Sequence, residues 1–321
     1  MNEPSRHAPL RALTKRNGVV ESINEIDAIA VDRAGTILAA YGEPDHVRFY
    51  RSAIKPVQAT VAQEFGADLS PEHLAIATAS HSGFPTHLAI VERMLHEVGL
   101  DCGALQTTPG WPLEVPARDL RVASGHRRPQ ALFHNCSGKH AAFLRACVAQ
   151  RWPTDTYCDP SHPLQRAIGE RIADVSGLDG RPAGVDGCGA PAFRGTIRSL
   201  ATVFSTVSVD AEFAEVASAM SRFPSLISGP GRPDGMLGRW WAAPLKVGAE
   251  GILAAGRRGI GLAVKSRSGS PVIATMGMME LMRRIGLLST AALNALDAVA
   301  RPPVLGGGRT QGVIEIEGTP E

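Results

Sequence analysis

Three things are missing from this sequence of 321 residues, and each absence excludes a class of protein. Nowhere do eighteen apolar residues run together, and the stretch from Met1 to Gly18 is polar and Arg-rich with no apolar h-region. No membrane-spanning helix and no secretory leader are therefore predicted, and the expectation is a soluble cytoplasmic protein with no membrane partner. Charge of one sign is not in excess: Lys+Arg 33 against Asp+Glu 31 leaves +2, with no basic run interleaved with aromatics. Nucleic acid is not an expected partner. Cysteine is sparse, and its five positions (Cys102, Cys136, Cys147, Cys158, Cys188) are odd in number and widely spread. That argues against a disulfide framework and for reduced thiols.

What is present is a 44% apolar chain, enough to fill a sizeable core. Ala28 to Val31, a turn through Asp32 to Gly35, and Thr36 to Leu38 read as a hairpin. Leu88, Val91, Leu95 and Val98 recur at helical spacing, predicting a helix over 87–98 capped by Thr86. A second helix is predicted over 163–175, with Leu164, Ile168, Ile172 and Val175 on one face, Ser161 near its start and Gly177 past its end. Lys246 to Val272 reads as two or three short strands, and Gly312 to Glu317 as one more. Strands thus frame a helical middle. This order predicts an α+β protein, an antiparallel sheet with helices packed on it, rather than alternating βαβ units. No linker, low-complexity tract or repeat divides residues 1–321, so one functional unit, of one lobe or two, is expected.

Several segments carry chemistry. Arg51-Ser52-Ala53-Ile54-Lys55-Pro56 contains Ser-x-x-Lys, a spacing that lets a neutral lysine amine take the proton of a serine hydroxyl; the alternative is a capping serine and a solvated lysine. Pro56 suits the first turn of a helix, so a regular helix is predicted to begin here. For Lys55 to act as a base near neutrality its pKa must fall about three units from ~10.4, which costs roughly 4–5 kcal/mol. Burial supplies this, or a second cation: at roughly 5 Å and an effective dielectric of ~20, like charges repel by about 3 kcal/mol. Arg51 is the nearest such cation in the chain.

Ala79-Ser80-His81-Ser82-Gly83 follows the small apolar run Ala75 to Thr78 and reads either as a second serine cluster or as a polar turn. In His134-Asn135-Cys136-Ser137-Gly138-Lys139-His140, leading into an apolar helix, Cys136, Lys139 and His140 stand at i, i+3 and i+4, where side chains converge at a helix N-terminus and stabilise a thiolate. A buried structural cysteine is the alternative. Asp186-Gly187-Cys188-Gly189 is a tight turn with a second thiol and a carboxylate. On the strand 259–265, Gly261, Ala263 and Lys265 share one face, whose small residues leave room for a substrate or for another backbone. Gly229 to Gly235 forms a loop expected to present an exposed Arg232, suited to a carboxylate.

Taken in order, Arg51 to Pro56, Ala79-Ser80-His81-Ser82, Asn135 to His140, Asp186-Gly187-Cys188, Gly231-Arg232, Lys246 to Gly251 and Gly261 to Lys265 resemble the asparaginase II family over nearly the whole chain. The resemblance implies a fold like the serine β-lactamases and glutaminases. It implies two serine-lysine pairs, Ser52 with Lys55 and Ser80 with Lys265, and a metal site for zinc, one per chain, at Cys136, Lys139 and Cys188. A homodimer is implied as well. The chain departs from the family pattern at Gly189-Ala190-Pro191 and Pro233-Asp234-Gly235, which bears on substrate fit.

The expected chemistry is hydrolysis of the side-chain amide of L-asparagine through a Ser52 acyl-enzyme, with Lys55 as base and Lys265 relaying protons and repelling the Lys55 ammonium. Arg51, Asn135, His140, Asp186, Gly187 and Arg232 are the candidate substrate contacts. Two rivals stand beside this: a serine acyl-transfer enzyme acting on glutamine or a β-lactam, and a non-catalytic zinc- or amino-acid-binding protein.

Overall fold

The computed structural model describes residues 8–318; the first seven residues of the polar N-terminal stretch lie outside them. The chain forms two compact units. The first comprises the residues up to Ala53, Gly195–Val209 and those from Gly231 onward; the second comprises Ile54–Arg194 and Asp210–Pro230.

The first unit is built on an antiparallel sheet. Its strands are β1 (Leu10–Arg16), β2 (Val19–Val31), β3 (Ile37–Tyr41), β4 (Leu245–Gly248), β5 (Ile252–Arg257), β6 (Ile260–Ser266), β7 (Pro303–Gly306) and β8 (Arg309–Ile316). Their order is β7-β8-β1-β2-β6-β5-β4, with β3 paired to β2 off that path. β2 is long enough to change partners: its first half pairs with β1, and Ala28 to Val31 pair with β3 and β6. The expected hairpin is present. Asp32 turns it, its carboxylate accepting from the backbone N–H groups of Ala34 and Thr36 at 2.9 and 2.8 Å.

One face of this sheet packs on helix Pro271–Arg284, whose Met276, Met278, Met279, Leu281 and Met282 join Ile26, Ala28, Leu253, Leu262 and Val264 in one core. Helix Ile197–Val207 lies against β6 and β5 so closely that a β-carbon on Gly261 would stand 1.8 Å from the Ala201 carbonyl oxygen. The room left by small residues on the Lys265 face is therefore filled, at Gly261, by another backbone.

In the second unit the helix expected over 87–98 runs Pro85–His96, with Phe84 as N-cap. Pro85 fits the first helical position, where a missing N–H costs nothing, so Thr86 lies inside the helix. The helix expected over 163–175 is Pro163–Ser176, capped by the His162 ring, which accepts from Leu164 N–H at 3.2 Å. Helix Lys55–Glu64 follows a 3₁₀ turn at Arg51–Ile54. Helices Pro71–Thr78 and Ser137–Gln150 approach at Gly138, where a β-carbon would meet the Ile76 carbonyl oxygen at 2.3 Å. That contact brings the N-terminus of one helix beside the end of the other, and so sets Cys136 and Lys139 near Ala79 and Ser80. Among the described residues no helix is long and apolar enough to cross a membrane.

Candidate active site

Lys55 is 1% exposed and sits among partners of the second unit. Its amine donates to the Ala79 carbonyl, to Ser80 Oγ at 3.3 Å and to Cys136 Sγ at 3.2 Å. Burial pushes its pKa below the ordinary lysine value; the Cys136 sulfur opposes this, and the Lys139 ammonium adds to it. The second cation acting on Lys55 is thus Lys139, brought in by the fold, where sequence distance alone singled out Arg51. Arg51 instead stands out by its backbone: it is a non-glycine residue at φ 49°, directly before Ser52, and such strain clusters at functional positions.

Ser80, His81 and Ser82 do not form a solvated turn. They are an extended, buried segment, pinned by backbone bonds from Ser80 to Ile227, from His81 to Asn135 and from Ser82 to Ser228 at 2.9–3.1 Å. His81 Nε2 adds a 3.0 Å bond to Ser137 Oγ. A serine hydroxyl held this firmly faces the Lys55 amine with little freedom to turn away.

Cys136, Lys139 and His140 lie close enough to act on one another electrostatically, but each makes its own hydrogen bonds. Lys139 Nζ reaches Cys188 Sγ at 3.3 Å, while His140 Nδ1 bonds the Tyr157 hydroxyl at 2.8 Å. A hydrogen bond from Cys136 and the Lys139 charge, working against burial, hold the Cys188 thiol down at about 5. Burial works against the Lys139 ammonium as well, but Cys188, Cys136 and Asp186 outweigh it and raise its pKa. The two shifts favour an ammonium–thiolate pair between Lys139 and Cys188. Burial drives Cys147 and Cys158 up to about 12, leaving both inert. His140 is pushed well below the usual imidazole range by burial and by Lys139, so it stands as a neutral ring.

The donors Cys136, Cys188 and Lys139 would suit zinc by type, being two soft sulfurs and one nitrogen. Among the described residues no group of three or more His, Cys, Asp and Glu could hold a metal ion, so such a site would depend on the lysine losing its proton.

The other expected residues are placed as follows. Asn135 accepts from the Cys136 thiol at 3.7 Å. Asp186 accepts from Gly187 N–H at 2.8 Å in the turn that presents Cys188, and Gly189, not Gly187, takes the positive φ. Lys265 and Arg232 belong to the first unit. Arg232 is not exposed as expected: its side chain is 14% exposed and pairs with Asp234 at 3.2 Å. Tyr157, which orients His140, was not singled out from the sequence, because nothing near it in the chain marks it.

A buried lysine beside a buried serine, with a thiolate close by, defines a candidate acyl-transfer site on an α+β scaffold. The chain belongs to the L-asparaginase II family, whose pattern matches residues 12–316 and so makes it an amidohydrolase by family. Among curated protein sequences none matches. Among solved structures, Mglu in its glutamate form is similar at 13% identity and a TM-score of 0.46, over 82% of this chain and 61% of that one. A mutant of Streptomyces K15 DD-transpeptidase is similar at 15% identity and a TM-score of 0.39, over 82% of this chain and 97% of that one. SurE with D-Leu follows at 13% and 0.38, over 82% and 71%.

Proposed function

We propose that the chain hydrolyses the side-chain amide of L-asparagine to L-aspartate and ammonia. The observation that carries this reading is a lysine amine, Lys55, buried and hydrogen-bonded to a serine hydroxyl in a chain of the asparaginase II family. Ser52 Oγ attacks the carboxamide carbon as its proton passes to Lys55, and the amide nitrogen leaves as ammonia after taking up a proton. Water then opens the ester, releasing aspartate and restoring the serine hydroxyl. Ser80 and Lys265 relay protons. Arg51, Asn135, Asp186, Gly187 and Arg232 bind the substrate's charged and polar groups, with His140 contributing as a neutral ring. Zinc at Cys136, Lys139 and Cys188 would fix that corner of the site and supply a Lewis acid when bound. A cytoplasmic homodimer goes with this reading and is checked by sedimentation and cell fractionation.

A second assignment is favoured by the 3.3 Å bond between Lys55 and Ser80: the same reaction with Ser80 as nucleophile. The deciding experiment is ammonia release by purified protein from asparagine and from glutamine, with and without chelator. Saturable asparagine binding without ammonia would overturn the enzymatic reading. A higher kcat/KM for glutamine would move the specificity.

A further inference from the structure

Lys265 lies near the end of β6, and the residue directly across from it on β2 is Asp27. A carboxylate opposite a lysine ordinarily pairs with it and holds it charged. Here the carboxylate is committed elsewhere. Asp27 is 1% exposed, and its Oδ1 accepts from Arg267 Nη2 at 2.7 Å, Arg267 Nε at 3.1 Å and Glu43 N–H at 3.0 Å. Its Oδ2 pairs with Arg48 Nη2 at 3.4 Å. The chain makes space for this carboxylate: a β-carbon on Gly42, at φ 68°, would stand 2.2 Å from Asp27 Oδ1.

Lys265 donates instead to the Ser266 carbonyl. Its neighbour on the other side, Ile252 on β5, is uncharged. The charged groups of the first unit that act on it are Arg48, Glu250 in the β4–β5 turn, and Asp27. Burial comes first in pushing its pKa below the ordinary lysine value, then Arg48, with Glu250 and Asp27 opposing.

We propose that Arg48 is a positioning residue for Lys265: anchored at 3.4 Å on the buried Asp27 carboxylate that stands opposite Lys265, it withholds that counter-ion from the lysine and sets a cation there in its place. The proposal rests on the reading of Lys265 as part of the catalytic machinery. A purely structural Arg48 would affect folding and leave the protonation of Lys265 in the folded variants unchanged.

The test is the pH dependence of Lys265 labelling by limiting acetic anhydride, read by peptide mass spectrometry on the full chain. Wild type is compared with Arg48→Gln and Arg48→Lys, and Arg48→Met replaces Arg48→Gln if that variant does not fold. The labelling midpoint should rise by about one pH unit in the neutral variant, making labelling about tenfold slower below it, and should stay near wild type in Arg48→Lys. The acidic limb of kcat/KM for ammonia release should move to higher pH with it. An unchanged midpoint in the folded neutral variant, or equal shifts in both variants, overturns the inference. A midpoint that moves while the acidic limb stays fixed upholds the control by Arg48 and removes Lys265 from catalysis.

Discussion

Lys55 Nζ donates to Ser80 Oγ at 3.3 Å, and both residues are at most 4% exposed. The lysine of the local Ser-x-x-Lys thus has as its hydrogen-bond partner a serine twenty-five residues along the chain. The proposed function therefore has two candidate nucleophiles, Ser52 and Ser80, and substitution separates them.

Ser52→Ala should lower kcat for ammonia release by more than about 10⁴-fold, since removing a nucleophile leaves only binding and electrostatic assistance. Ser80→Ala should cost about 10²–10⁴-fold, the range of an assisted proton transfer. Rapid-quench mass spectrometry locates the acyl group. An acyl mass on the Ser80 peptide would transfer the nucleophile role to that residue.

Lys55→Met removes the base while keeping most of the stem, and Lys55→Arg keeps the charge but supplies a group that does not lose its proton. Both should be inactive, with the arginine variant no better than the methionine one. A rise in KM at nearly normal kcat in either would give Lys55 a binding role in place of a basic one.

The lysine's burial could not be read from the chain, because it depends on how helix Lys55–Glu64 packs on helices far from it in sequence. The same holds for Lys139, which comes near Lys55 by that packing and so replaces Arg51 as the neighbouring cation. Much of the sheet was legible, since β2, β3 and β6 carry short apolar runs bounded by Asp32, Gly35 and Gly259, but β1, the first half of β2 and β7 were not, because their apolar residues are interleaved with charged and polar ones or too few to stand out. Helix ends were legible to within two or three residues, Pro85 and Pro163 marking starts that polar caps were expected to mark. Arg232 read as exposed because a Gly/Pro loop ordinarily is, and its pairing with Asp234 two residues on is a local feature that reading passed over.

Gly261→Ala tests the contact between helix Ile197–Val207 and β6. A β-carbon there would meet the Ala201 carbonyl oxygen at 1.8 Å, so the helix must move off the sheet, at about 1–3 kcal/mol or more. Thermal unfolding should show a Tm several degrees lower. Gly231→Ala, where a β-carbon meets nothing within 4 Å, should leave Tm nearly unchanged. Equal Tm values for the two variants would mean that the helix does not rest on Gly261.

Cys188 gives a pH signature that bears on both the thiolate and the metal. Its pKa is held at about 5 in the fold against an ordinary thiol value of 9.0, so the folded state favours the thiolate. A depressed pKa stabilises the fold fully above the ordinary value, and that contribution is lost as pH falls through about 5. The ultraviolet absorbance of the thiolate in metal-free protein should accordingly titrate near pH 5 and vanish in Cys188→Ser. Zinc binding should weaken as pH falls, because a protonated thiol does not ligate and the Lys139 amine must also give up its proton. Purified protein is expected to carry about one zinc per chain at neutral pH. It should lose that metal progressively as pH is lowered, and bind little in Cys136→Ser or Cys188→Ser. Elemental analysis after dialysis at a series of pH values reads this directly. Protein that is metal-free at neutral pH, fully active and still showing the low-pH thiolate titration would leave Cys188 and Lys139 as an ion pair that shapes the site without a metal.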